Sequence, residues 1–211
     1  MIARPPLAVP LLGLAGFLVL LGLTIVDWAP LDRFDAAVGD AFRAYGAAHP
    51  RTIAVLRVVT DVAATVPYVL TGLSVSLALL ARAARRAAAC CALVTGLVPA
   101  LWTLGHVLVH HPRPADGFVV VLGNGFPSGH TSNATAAGLV AVLLLWPGRS
   151  GRARLVTGSL AAGFALFIGL TRVALLAHWP TDVLGGWLLA VAVVPLVARG
   201  VLRAAPAPAP A

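Results

Sequence analysis

The sequence predicts an all-α integral membrane protein of six transmembrane helices, with an amphipathic helix on the extracytoplasmic side between spans one and two. Three observations carry that prediction. Of 211 residues, 60% are hydrophobic and only 10% charged, against about 25% charged in soluble domains, and the mean hydropathy is +0.95, so a water-facing surface would itself have to be apolar. The apolar residues fall into six stretches of roughly bilayer-spanning length. The charges are distributed unequally between the loops that join those stretches.

In chain order, the spans run from about Leu7 to Val26, Val62 to Ala81, Ala87 to Val109, Thr131 to Trp146, Leu155 to Leu176 and Val183 to Ala198. The first follows an Arg, as a signal peptide would, but its apolar run is long and no small-residue cleavage site precedes Asp27 and Trp28, so it reads as a retained anchor. Between spans one and two, Leu31, Phe34, Val38, Phe42 and Tyr45 recur at helical spacing, with Asp32, Arg33, Asp35, Asp40 and Arg43 assigned to the opposite side, which predicts an interfacial amphipathic helix. Pro67 and Pro99 fall inside spans and suggest kinks. Residues 1–203 form one domain, and the Ala/Pro alternation of 204–211 predicts a disordered tail. Arg57 and Asp61, spaced i, i+4, are expected to pair at the outer interface. Trp28, Trp102, Trp179 and Trp187 lie near span ends, where an aromatic belt is expected.

All 15 basic residues are Arg and all 7 acidic residues are Asp, for a net charge of +8. Such a charge invites a nucleic-acid reading, but a basic face on a soluble fold is missing and no nucleic-acid partner is expected. Counted alternately from the N-terminus, one side of the membrane receives nine Arg and no acid, and the other receives six Arg with all seven Asp. The Arg-rich side is cytoplasmic by the positive-inside rule, so both termini are expected inside and the loops after spans one, three and five outside. Cys90 and Cys91 are adjacent within an apolar stretch and define neither a disulfide framework nor a zinc motif.

The ionisable residues near span ends cluster on that outer side. They are His106, His110, His111 and Arg113 after span three, Ser128, Gly129 and His130 opening span four, and Arg172, His178 and Asp182 between spans five and six. Arg113 and Arg172 suit bidentate grip of phosphate oxygens. Ser128 and Gly129 at a helix opening offer a hydroxyl and free backbone N–H groups to an anion. Asp182, across the Pro180 turn, can fix the tautomer of His178 and leave its other nitrogen nucleophilic. His130 is then available as a general acid. The arrangement points to a metal-free phosphomonoesterase or diphosphatase. The competing metal reading takes His106 and His110 as i, i+4 ligands with Asp116 or His111 as a third, which leaves the ligand set incomplete. His110, His111 and Asn124 lie in the loop over the site, open to substrate contact or to solvation.

Arg113-Pro114, Pro127-Ser128-Gly129-His130, and Arg172 followed by His178 and Asp182 resemble the three signature motifs of the type 2 phosphatidic acid phosphatase (PAP2) superfamily, over roughly Trp102 to Gly186. The resemblance implies six membrane helices, an extracytoplasmic site and no cofactor. It also implies that His178 forms a phosphohistidine, Asp182 orients it, His130 protonates the leaving group, and Arg113, Arg172, Ser128 and Gly129 hold the phosphoryl group. His106 stands at the family's Lys position and Thr171 at its Ser position. A His there is only partly charged at neutral pH, although a bound phosphate dianion favours its protonated form, so activity is expected to fall toward alkaline pH. The expected substrate is a lipid phosphate or diphosphate in the bilayer: by analogy a polyprenyl diphosphate such as undecaprenyl diphosphate, with phosphatidate or phosphatidylglycerol phosphate as alternatives, and a non-catalytic lipid-binding or transport relative as the competing class. The Ala, Arg, Gly and Pro bias without Lys suggests a bacterial inner-membrane protein. No oligomeric state is legible.

Overall fold

The computed structural model describes residues 4–203, so the 204–211 tail lies outside the described residues. The described residues fold into eight helices: α1 (Ala8–Ile25), α2 (Ala29–Ala48), α3 (Pro50–Val59), α4 (Thr65–Ala81), α5 (Arg85–Leu108), α6 (Gly129–Leu145), α7 (Gly151–Ala174) and α8 (Pro180–Arg203). A 3-10 turn, Thr60–Ala63, links α3 to α4. Five stretches among the described residues are long and apolar enough to cross a membrane: α1, the Pro50–Ala81 stretch that joins α3 to α4, α5, α7 and α8. The expected fourth span corresponds to α6, which is apolar but only 17 residues long.

The bundle is organised around α8, which packs against α1, α5, α6 and α7. Its buried Ala190, Val194 and Ala198 meet Val94 and Val98 of α5 and Ala136 and Leu143 of α6 in the main apolar cluster. Ala136, Ala190 and Ala198 in that seam let the helices approach closely. Neither proline breaks its helix. α5 runs unbroken through Pro99, and Pro67 sits in the first turn of α4, where the backbone N–H has no intrahelical partner to lose.

The helix expected after the first span forms as α2, but its faces differ from the expectation. Phe34 and Tyr45 are exposed, whereas Asp35, placed on the polar side by the sequence reading, is 3% exposed. In a 3.6-residue repeat Asp35 shares a stripe with Leu31, Val38 and Phe42, and that stripe packs on the loop before α8. Gly39 permits the approach, since a Cβ there would lie 2.9 Å from the Trp179 ring. α3 follows directly and was not anticipated. Arg57 and Asp61 do not pair: α3 ends at Val59, the 3-10 turn intervenes, and the ion pairs found among the described residues both involve Asp182.

Candidate functional site

Four segments converge at one end of the bundle: the 3-10 turn before α4, the loop between α5 and α6, the opening of α6, and the α7–α8 turn. Asp182, fully buried, stands in the first turn of α8. Its Oδ2 accepts hydrogen bonds from the Trp179 backbone N–H (3.0 Å) and from His178 Nδ1–H (3.1 Å). A carboxylate three residues into a helix commonly reaches back to the capping residue's N–H in this way. The His178–Asp182 pair expected from the spacing is therefore present, and it leaves His178 Nε2 as the lone-pair nitrogen. Burial pushes the His178 imidazole down to about 4 despite its bond to Asp182, so it is neutral at physiological pH.

Arg113 faces that lone pair. Its Nη1 donates to the Ala177 carbonyl (2.7 Å) and lies 2.8 Å from His178 Nε2, while its Nε is buried without a partner. Arg172, at the end of α7 and 4% exposed, donates from Nη1 to Thr60 Oγ1 (3.2 Å) and also leaves a buried Nε unpartnered. The Thr60 hydroxyl then donates to Thr171 Oγ1 (2.9 Å), whose own proton goes to the Ile168 carbonyl (2.6 Å). This one-directional relay fixes the guanidinium. Thr60 was not legible as a site residue, because nothing in a Thr at the edge of an apolar run marks it.

His130, in the first turn of α6, has a buried Nε2 with no partner and lies close enough to feel the charges of Arg172, His178 and Arg113. Ser128 is the capping residue of α6 but makes no side-chain cap bond. Its Oγ accepts from Thr131 Oγ1 (3.0 Å), leaving its own O–H free to donate, and its backbone N–H is spent on the Asp182 carbonyl (2.9 Å). Gly129 packs on the Trp102 ring, 3.0 Å from a notional Cβ. Gly125 is required outright, since a Cβ there would collide with the Asp182 carboxylate.

His106 is half-buried beside His178, with ring centroids 6.3 Å apart. Its Nε2–H donates to the Pro127 carbonyl (2.9 Å), so only Nδ1 remains for any charge-dependent contact. The i, i+4 metal reading loses its geometry, because α5 ends at Leu108 and His110 no longer shares a helical face with His106. Asn124 is a brace: it accepts from the His111 N–H (3.2 Å) and donates to the His106 carbonyl (3.0 Å). His111 is buried, with Nδ1 3.0 Å from Asp182 Oδ1. The Trp side chains are partly recruited inward: Trp102 donates to Asn133, Trp179 to the Pro112 carbonyl and Trp187 to the Ala165 carbonyl, while Trp28 stays exposed.

Asp35 completes the surroundings from α2. Its Oδ1 accepts from the Thr181 backbone N–H (3.0 Å) and so caps α8 from another helix, a service Trp179 cannot perform for want of a side-chain acceptor. Burial raises its carboxyl from 3.8 to about 6, with the Asp182 charge adding to the rise and the Thr181 bonds opposing it.

Fold and site together define an all-helical, membrane-type protein with a buried, anion-receptive end built from imidazole, carboxylate and guanidinium groups. The chain belongs to the PAP2 superfamily: the family model of that description matches residues 63–205. Among solved structures it is similar to one described as the first transmembrane PAP2-type phosphatidylglycerolphosphate phosphatase from Bacillus subtilis, with a TM-score of 0.76, 22% identity, and coverage of 91% of this chain and 94% of that one. No curated protein matches the chain.

Proposed function

We propose that the protein is a multi-pass membrane lipid phosphatase that removes a terminal phosphate from a lipid phosphate or diphosphate without a metal or other cofactor. The observation that carries this reading is a neutral imidazole, His178, held by Asp182 beside three buried, unpartnered nitrogens: Arg113 Nε, Arg172 Nε and His130 Nε2. Buried polar atoms are nearly always satisfied, and a partner that binds there accounts for three exceptions in one cluster of cationic and imidazole groups. A phosphate supplies acceptor oxygens for all of them. Membership of the PAP2 superfamily supports the same chemistry.

In this mechanism the phosphate oxygens offer Arg113 charged acceptors in place of His178 Nε2, which frees that lone pair. Nε2 attacks phosphorus, the bond from phosphorus to the departing lipid oxygen breaks, and His130, favoured in its protonated form by the bound phosphate dianion, gives that proton to the departing oxygen. Water, deprotonated by His130, then attacks the phosphohistidine and releases inorganic phosphate, so one ester bond is exchanged for the elements of one water. Ser128 O–H and the free N–H groups at the start of α6 add to the cradle.

Six membrane crossings follow if α6 spans with its flanks. The Arg asymmetry then puts both termini in the cytoplasm and the site, with α2, at the outer face of a bacterial inner membrane. A lipid tail finds room in an apolar cleft of about 430 Å³ lined by Val62, Tyr68, Val75, Val140 and Phe164, between α4, α5, α6 and α7. The space under α2 is taken by Trp179. Polyprenyl diphosphates such as undecaprenyl diphosphate remain the first candidates by analogy, ahead of phosphatidate and phosphatidylglycerol phosphate.

The test is phosphate release by detergent-purified protein, with chelator present, from farnesyl diphosphate, undecaprenyl diphosphate, dioleoyl phosphatidate and phosphatidylglycerol phosphate. Release from at least one is expected, and its abolition in His178→Ala. No release from any, or equal release by the variant, overturns the enzyme reading in favour of a non-catalytic lipid-binding relative.

A further inference from the structure

Asp182 serves two imidazoles. Its Oδ2 faces His178 Nδ1 at 3.1 Å and its Oδ1 faces His111 Nδ1 at 3.0 Å. His111 reaches this position by an independent device. The α5–α6 loop closes on itself through the Pro112–Asn124 bridge and the Gly125 N–H to His111 carbonyl bond (2.8 Å), and Asn124 holds the His111 backbone. The motif residues account for His178 and Asp182 but leave this third group unassigned.

We propose that His111 is a positioning residue: its N–H takes Oδ1 out of competition and holds the carboxylate so that Oδ2 faces His178. A carboxylate with one free oxygen can rotate about its last bond, and each rotation breaks the tautomer-fixing contact. With both oxygens engaged, rotation breaks three buried hydrogen bonds, from His111 on one oxygen and from His178 and the Trp179 N–H on the other. In this role His111 acts on substrate through Asp182 and His178.

The arrangement also distributes charge. His111 is opposed by burial, yet the Asp182 bond, the Asp182 charge and the Asp35 and Asp32 charges of α2 lift it above its ordinary pKa. It therefore shares with His178 the stabilisation of the Asp182 charge. His178 faces Asp182 from α8, Arg113 from the loop, Arg172 from α7, and His130 and His106 from α6 and α5. Removing His111 leaves the Asp182 charge to act on His178 with less opposition, which favours protonation of His178 and removes the nucleophile at a higher pH.

The proposal rests on the phosphatase reading, and two measurements separate them. In steady-state assays with dioleoyl phosphatidate and farnesyl diphosphate, His111→Leu is expected to lower kcat by about 10- to 100-fold, with KM within about twofold. The acid limb of kcat/KM should move upward by about one pH unit. His111→Asn, whose amide N–H replaces Nδ1–H, should recover most of kcat. In ¹⁵N-histidine NMR, which needs no turnover, the His178 protonation midpoint should rise in His111→Leu relative to the wild type. An unmoved midpoint overturns the proposal even if neither substrate is hydrolysed. A raised KM at unchanged kcat, or a loss that Asn does not rescue with the acid limb in place, overturns it as well.

Discussion

The two halves of the site are finished to different degrees. On the α8 side every oxygen of Asp182 has a donor: His111 on Oδ1, His178 and the Trp179 N–H on Oδ2, and the Ser128 N–H on the backbone carbonyl. On the α6–α7 side, His130 Nε2, Arg113 Nε and Arg172 Nε are buried with no protein partner. The difference separates two tasks. Orientation of a nucleophile requires a rigid, satisfied network whose geometry does not change during reaction. Capture of an anion requires donors that the protein itself does not satisfy, so that binding adds hydrogen bonds instead of exchanging them.

The contrast can be broken from either side. The largest effect is expected from Asp182→Asn, which presents an amide to two imidazoles and disturbs the His178 tautomer; activity should fall on the order of 10³- to 10⁴-fold, as when the carboxylate that fixes the tautomer of a catalytic histidine is lost from a Ser-His-Asp triad, read as phosphate release at matched folded protein. Next, Arg172→Lys replaces a planar fork with a point charge and should lower kcat/KM by about 10²-fold, with most of the loss recovered by neither higher pH nor higher substrate. Thr60→Val cuts the relay behind Arg172 and should cost about tenfold in kcat/KM and roughly 1–2 kcal/mol of stability, whereas Thr60→Ser should restore both.

His106→Lys tests the departure from the family pattern. Because Nε2 is committed to the Pro127 carbonyl, the change should be less than about tenfold at pH 7 and should show as slower loss of activity toward pH 9. An identical pH profile would mean that His106 contributes no charge to the site.

The smallest expected effect on activity comes from Asp35→Asn, which instead reports on the seat of α2. A carboxyl near 6 in the fold and near 3.8 when unfolded binds its proton more tightly when folded. Its burial therefore weighs on stability above about pH 6, and that burden is relieved as pH falls through this value. Asn keeps the acceptor for the Thr181 N–H and carries no charge, so thermal unfolding in detergent should show a gain of roughly 1–3 kcal/mol at pH 8, shrinking to none at pH 4. A gain that persists at pH 4 would assign the effect to packing.

Much of the site was legible because its chemistry is local. His178 and Asp182 lie four residues apart across a helix start, and Ser128 to His130 open a helix, so spacing alone implies their geometry. Asp35 left a readable sign, its phase with Leu31, Val38 and Phe42, but a charged residue in an apolar stripe is easily assigned to the other face when its partner, the Thr181 N–H, is 146 positions away in the chain. His111 and Thr60 left less. The first is one of two adjacent histidines in a loop whose closure cannot be read from composition, and the second lies before the matched stretch that begins at residue 63.

The sequence by itself determined which segments are apolar and, α3 apart, which are helical, which charges gather together, and the pairing of His178 with Asp182, because hydrophobic periodicity and short-range spacing are properties of neighbouring residues. Tertiary structure decided what surrounds that pair. The capping of α8 by Asp35, the hold of Thr60 on Arg172 and the second imidazole on Asp182 each join residues at least 71 positions apart. Such contacts exist only once the helices have packed, since it is burial that makes an unpaired carboxylate or guanidinium too costly to leave without its partner.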